Sequence, residues 1–152
     1  MELPCRYQVQ AAQRCAQLLG NTRSSRHQVD SVYRQAATDG LFPKDALRGG
    51  ELLLSKIGLI TYENGWLAPS EEIDALEGLD DDEATELTLL KLFEIEQPTW
   101  FWTSVTSEAV TTEFIPQQDA SSLEQLVPDP ERREAFLLRL ARKFDAEHAV
   151  ID

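Results

Sequence analysis

The chain has 152 residues, 42% of them apolar and 27% charged, the proportions of a folded protein with one principal core rather than of a disordered chain. No run of ~18 apolar residues occurs, and the start MELPCRYQVQ has neither a basic head nor an apolar stretch, so the sequence offers no membrane span and no signal peptide and reads as cytoplasmic. The net charge of −13 is unevenly placed: in residues 1–60 eight Lys or Arg oppose five Asp or Glu, a net of +3, while the remaining 92 residues carry −16. A uniformly acidic surface would repel nucleic-acid phosphates, whereas this asymmetry leaves room for a basic face on the N-terminal part.

Tyr7, Ala11, Cys15 and Leu18, widened by Ala12 and Leu19, recur at spacings of three and four and predict an amphipathic helix from Arg6 to Leu19 that Gly20-Asn21 stops. Cys5 and Cys15 fall ten positions apart on it, roughly 15 Å at helical rise and too far for a disulfide, and both are expected to be buried thiols. Ser24 or Ser25 caps a second helix with Val29, Val32, Tyr33, Ala36 and Ala37 on its inner face. Asp39-Gly40 breaks it, and Leu41 and Phe42 are expected to anchor the turn. Pro43 opens a third helix that buries Ala46, Leu47, Gly50, Leu53, Leu54 and Ile57 before Gly58, with Gly50 permitting close helix approach. Leu59-Ile60 and Trp66-Leu67 then flank Tyr62-Glu63-Asn64-Gly65, whose Asn-Gly pair is the strongest short hairpin signal.

The fold class that follows is mainly α: a winged helix-turn-helix with a small β-hairpin over residues 1–68, followed by an acidic helical extension over 69–152. In the extension, Pro69-Ser70 starts a short helix with Ile73 and Leu76, and the run Asp80 to Glu83 leads a longer one with Ala84, Leu87, Leu90 and Phe93 inward, ending at Gln97-Pro98. Residues 99–127 are rich in aromatic and β-branched types without clean alternation and yield no element. A last helix opens at Asp129-Pro130 and buries Phe136, Leu137, Leu140, Ala141 and Phe144.

The residue patterns of catalysis are missing from the sequence. His27 and His148 have no metal-ligand companions at the usual spacing, no phosphate-loop or dinucleotide fingerprint occurs, and Asp80-Asp81-Asp82-Glu83 lacks the alternating register of a calcium loop. The expectation is therefore a chain that is not an enzyme and needs no cofactor or metal. Two groups of residues stand out as binding candidates instead. Arg23, Arg26, Lys44 and Arg48 surround the helix-turn-helix, and Lys44 and Arg48, one turn apart on the third helix, could meet phosphates or guanine edges. Any DNA affinity is expected to be weak and salt-dependent, because Asp45, Glu51, Glu63 and the acidic remainder oppose it. Trp100, Phe101 and Trp102 are three consecutive large rings that one core struggles to take, so at least one is expected to contact a partner protein.

The stretch GELLLSKIGLITYENGWLAP resembles the winged-helix modules of multi-gene bacterial defence and restriction-type systems. PTWFW, FIP and PDPERREAFLLRLARKFD are similar to the region that precedes the NO VEIN C-terminal domain in large bacterial proteins of that sort. The resemblance rests on patterns and carries over no active site. It implies a non-catalytic recognition or assembly part of an antiphage defence-type complex, binding a protein partner with a basic surface and, weakly, DNA. The alternative is a winged-helix transcriptional regulator.

Overall fold

The structure, a computed structural model, describes residues 2–98, 100 and 101, and 115–149, the last five without their side chains. Seven helices and three short strands occur among the described residues: α1 (Arg6–Leu19), β1 (Ser24–Ser25), α2 (Arg26–Asp39), α3 (Lys44–Lys56), β2 (Ile60–Glu63), β3 (Trp66–Pro69), α4 (Ile73–Glu77), α5 (Asp81–Glu96), α6 (Gln117–Leu126) and α7 (Pro130–Ala149). The protein is thus mainly helical with one small antiparallel sheet of strand order β1-β3-β2. Two compact units divide it, Arg6–Lys91 in one and Met1–Cys5 with Leu92–Asp152 in the other, and the boundary falls inside α5. The first unit therefore continues past position 68 through α4, whose Ile73 and Leu76 are wholly buried.

Local chemistry accounts for the elements of this unit. Gly20 takes the left-handed φ of +58° that ends α1. At the start of α2, the Ser25 hydroxyl accepts from the Gln28 amide nitrogen while the Gln28 side chain accepts from the Ser25 backbone, a reciprocal cap. Asn64 and Gly65 both have positive φ, 51° and 82°, as a two-residue turn between right-twisted strands requires, and they set the register Glu63↔Trp66 and Tyr62↔Leu67. Strand β1 was not foreseen in the sequence; its two serines pair with Trp66 and Leu67. Two residues leave no alternation to read.

The core of the first unit is built on α1 against α3. Gly50 lets them meet, since a Cβ there would stand 2.6 Å from the Ala11 carbonyl carbon and 2.7 Å from the Ala12 nitrogen. Val9, Ala11, Ala12, Cys15, Ala16 and Leu19 form the inward face of α1. That face is rotated from the expected one: Tyr7 is half exposed, and its ring lies 5.3 Å from that of Phe42 at the surface. Three further expectations are corrected. Cys5 precedes the helix and is exposed, so only Cys15 is a buried thiol. On α2 only Val29 and Tyr33 are buried, with Val32, Ala36 and Ala37 at the margin. Leu41 does not anchor its turn but is 91% exposed.

In α5 the acidic run is the helix start: the Asp80 carboxylate accepts from the Glu83 amide and Glu83 accepts back from Asp80. Buried residues occur nearly all around it, with Leu87 and Leu90 only half-buried. Its buried threonines, Thr85 and Thr88, donate to the carbonyls of Asp81 and Ala84, which satisfies their hydroxyls out of water. In the second unit α7 buries the five residues its periodicity indicates, Phe136, Leu137, Leu140, Ala141 and Phe144.

Candidate functional site: a buried carboxylate behind the third helix

Helix α3 carries an acid in its apolar stripe. Glu51 lies one turn after Leu47, beside Gly50 and before Leu54, and its side chain is 1% exposed. A lone buried carboxylate would be expelled or neutralised, and this one is instead surrounded by donors from two elements. Arg26 of α2 grips it with both terminal nitrogens, Nη1 to Oε2 at 2.8 Å and Nη2 to Oε1 at 2.9 Å. The Tyr33 hydroxyl of α2 donates to Oε1 at 2.8 Å, and the Tyr62 hydroxyl of β2 donates to Oε2 at 2.6 Å. Behind Tyr33 stands Cys15 of α1, whose Sγ lies 3.5 Å from the phenol oxygen and donates to the Leu47 carbonyl at 2.8 Å. Asp30 completes the group, accepting from Arg26 Nε and Nη2 at 3.1 and 3.0 Å.

The electrostatics follow from this geometry. Burial alone would raise the Glu51 pKa, but the bonds from Arg26, Tyr62 and Tyr33 outweigh it and hold the carboxyl below its ordinary value. Hydrogen bonding to Glu51 raises Arg26 further above its already high value. The bond from Arg26 lowers Asp30. Burial pushes the Cys15 thiol up to about 12 and, together with the bond to Glu51, the Tyr62 phenol up to about 12. Tyr33 is raised as well, first by burial and then by Cys15 and Glu51. At neutral pH the group sets two carboxylates against the Arg26 guanidinium, with Arg48 3.7 Å from Asp30 as a second cation, and it holds its protons firmly, which suits a fixed joint between α2, α3 and β2 rather than proton transfer.

The four basic residues expected around a nucleic-acid face are affected unequally. Arg26 is turned onto Glu51 and Asp30, which fill its guanidinium fork. Arg48 is half exposed and lies within 3.7 Å of Asp30 and 3.9 Å of Glu51, so the same acids draw on its charge. Arg23 sits 3.8 Å from Glu63 and 5.8 Å from the Trp66 ring centre, on the outer face of the hairpin. Lys44 is exposed at the start of α3. Leu52, 57% exposed, shares that helix.

Two of the three aromatic candidates are buried. Trp100 is 8% and Phe101 1% exposed, so neither ring is a free contact surface. Trp100 Nε1 donates to the buried Asp119 carboxylate at 2.7 Å, and Phe93, Trp100, Phe101 and Phe144 stack edge-on or tilted with centroids 5.5–6.2 Å apart. The second unit takes two consecutive rings because both find partners, on α5 and α7. Trp102 lies outside the described residues.

Glu51 itself escaped sequence reasoning, which counted it as a surface acid opposing DNA. Its signal was its place on the buried stripe, four residues after Leu47 and three before Leu54, where an acid demands a cation. Among the described residues no group of three or more His, Cys, Asp or Glu side chains could hold a metal ion, and no helix is long and apolar enough to cross a membrane. Comparison with family models, with curated proteins and with solved structures finds no match.

Proposed function

We propose that the chain is a non-catalytic protein-recognition module whose first unit is a winged helix adapted to a protein partner rather than to DNA. The order α1-β1-α2-α3-β2-β3 supports the winged-helix reading, with α3 in the position of the reader and the Asn64-Gly65 hairpin as the wing. The observation that carries the function is the Glu51 joint. It engages Arg26 and draws on Arg48, two of the four cations a phosphate-binding face would need, while Leu52 and Leu41 stay exposed on and just before α3. Few free cations mean few counterions released and little DNA affinity, whereas exposed leucines beside polar residues suit a protein contact. The resemblance to defence-system modules supports a place in a multi-protein antiphage assembly.

A fluorescence titration of duplex DNA against the whole protein, from low to physiological salt, tests the choice. The expected result is background binding at physiological salt. Tight binding lost in Lys44→Ala/Arg48→Ala would establish the second reading, a DNA-binding regulator, which those two residues favour by sharing one face of α3.

A further inference from the structure

The outer face of α1 carries three glutamines at positions 10, 13 and 17, and each amide is oriented by an acceptor that only a nitrogen can satisfy. Gln13 Nε2 lies 3.0 Å from the Leu76 carbonyl and 2.6 Å from the Leu79 carbonyl. Gln17 Nε2 donates to the Glu77 carbonyl at 3.4 Å, and Gln10 Nε2 to the Asp81 carboxylate at 3.3 Å. With the nitrogens held toward α4 and α5, the amide oxygens are the atoms left to other partners. Arg14 Nη1 donates to that of Gln17 at 3.3 Å, and those of Gln10 and Gln13 have no protein donor among the described residues.

These side chains line one groove, with a volume of about 330 Å³, whose other walls are Leu41, Phe42 and Asp81. Its chemistry is therefore two-sided. On one side stand acceptors, Gln10, Gln13 and the Asp81 carboxylate, with Arg14, the one cation of the lining, held on the Gln17 oxygen; on the other stands Leu41, the most exposed large apolar side chain among the described residues, next to the Tyr7–Phe42 ring pair. An occupant that satisfied both would bring N–H donors with positive charge and an apolar side chain. At the first turn of α5 Asp82 is paired with Arg6, while Asp81 and Glu83, with Asp80 before them, add negative potential at the rim and select against an acidic occupant.

We propose that this groove is the docking site for a basic, amphipathic segment of a partner protein, which sets an apolar side chain against Leu41 and Phe42 and a Lys or Arg on the oxygens of Gln10, Gln13 and Asp81. The proposal rests on the reading of the chain as a protein-recognition module and names the surface it uses. An extended or helical segment of a few residues fits a groove of this size, and one apolar anchor beside a charge-assisted hydrogen bond is the usual core of such a contact.

The test uses the whole protein and a defined probe, a fluorescent fourteen-residue Leu/Lys peptide patterned as an amphipathic helix, with its Leu/Glu counterpart as control. Amide spectra of the protein are expected to shift at the side chains of Gln10, Gln13 and Gln17 and at Leu41 with the Leu/Lys peptide and to stay unchanged with the Leu/Glu peptide. Leu41→Ser, on a residue already in water, should leave the fold intact and weaken binding about tenfold. Absence of binding, equal binding of both peptides, shifts centred away from the groove, or affinity unchanged in Leu41→Ser would each overturn the proposal. The recognition reading is tested separately by purifying the wild type, Leu41→Ser and Leu52→Asp from native cells. A partner kept by Leu41→Ser and lost in Leu52→Asp would sink the groove while sparing that reading. A partner lost in Leu41→Ser and kept by Leu52→Asp supports the groove.

Discussion

A buried acid is tolerable only when its neighbours make the charged form better solvated than water would, and Glu51 meets that condition with four donor atoms from Arg26, Tyr33 and Tyr62. The consequence is a stability profile bounded on both sides. Glu51 and Asp30 have lowered pKa values in the folded state, so their contribution is complete above their ordinary values of 4.5 and 3.8 and is lost as pH falls through the folded values. Cys15 and Tyr62 have raised values, so the folded state keeps protons that the unfolded state releases from about 9 and 10 upward, and stability falls between there and about 12. Denaturation midpoints measured from pH 3 to 11 should show a plateau between these limits. Glu51→Gln should flatten the acidic limb, and an unchanged limb would mean that other carboxylates dominate it. Glu51→Ala, which leaves Arg26 and two phenols without their acceptor, should cost about 3–5 kcal/mol at neutral pH. Replacing Glu51 by Leu together with Arg26→Met, Tyr33→Phe and Tyr62→Phe should cost far less, because no buried donor is then orphaned.

At the scale of elements, α3 holds adjacent glycines with opposite roles. Gly49 has nothing within 4 Å of where its Cβ would stand, whereas at Gly50 the Ala11 and Ala12 backbone occupies that space. Gly49→Ala should therefore stabilise the protein by about 0.5–1 kcal/mol through helix propensity. Gly50→Ala should destabilise it by about 1–3 kcal/mol, since α1 must move away from α3. Chemical denaturation of the pair reads both signs at once, and equal effects would mean that the close α1–α3 approach is absent in solution. The sequence made much of this level legible. Gly50 as a close-approach residue, the Asn64-Gly65 turn, the Ser25 cap and the stripe of α7 each depend on a few neighbouring positions, where local stereochemistry decides the outcome. What it hid was long-range. The Arg26–Glu51 bond spans 25 positions and the Trp100–Asp119 bond 19, and neither residue of either pair announces its partner. From the sequence alone, therefore, neither the Glu51 that receives Arg26 nor the Asp119 that receives Trp100 can be read.

For the whole molecule the same distinction decides where a folding unit ends. The caps and stripes of the first three helices and the Asn-Gly turn all lie before residue 69 and invite a cut there, yet the first compact unit runs to Lys91. The added segment is tied back by several kinds of contact. Ile73 and Leu76 are wholly buried, and the Leu76, Glu77 and Leu79 carbonyls accept from Gln13 and Gln17 of α1. Arg6 pairs with Asp82 at the start of α5, and Ser70 N donates to the Leu59 carbonyl at 2.8 Å. Burying Ile73 and Leu76 is worth about 1.5–3 kcal/mol each, a large share of the net stability of so small a unit. A fragment of residues 2–91 should therefore unfold in one cooperative transition with dispersed amide signals, while a fragment of residues 2–68 should be several kcal/mol less stable and expose the apolar surface those two side chains covered. Binding of a hydrophobic dye alongside denaturant melts would separate the two fragments. Equal midpoints and equal dye binding would show that α4 and the start of α5 are appendages, and that the segment from α1 to β3 alone specifies the unit.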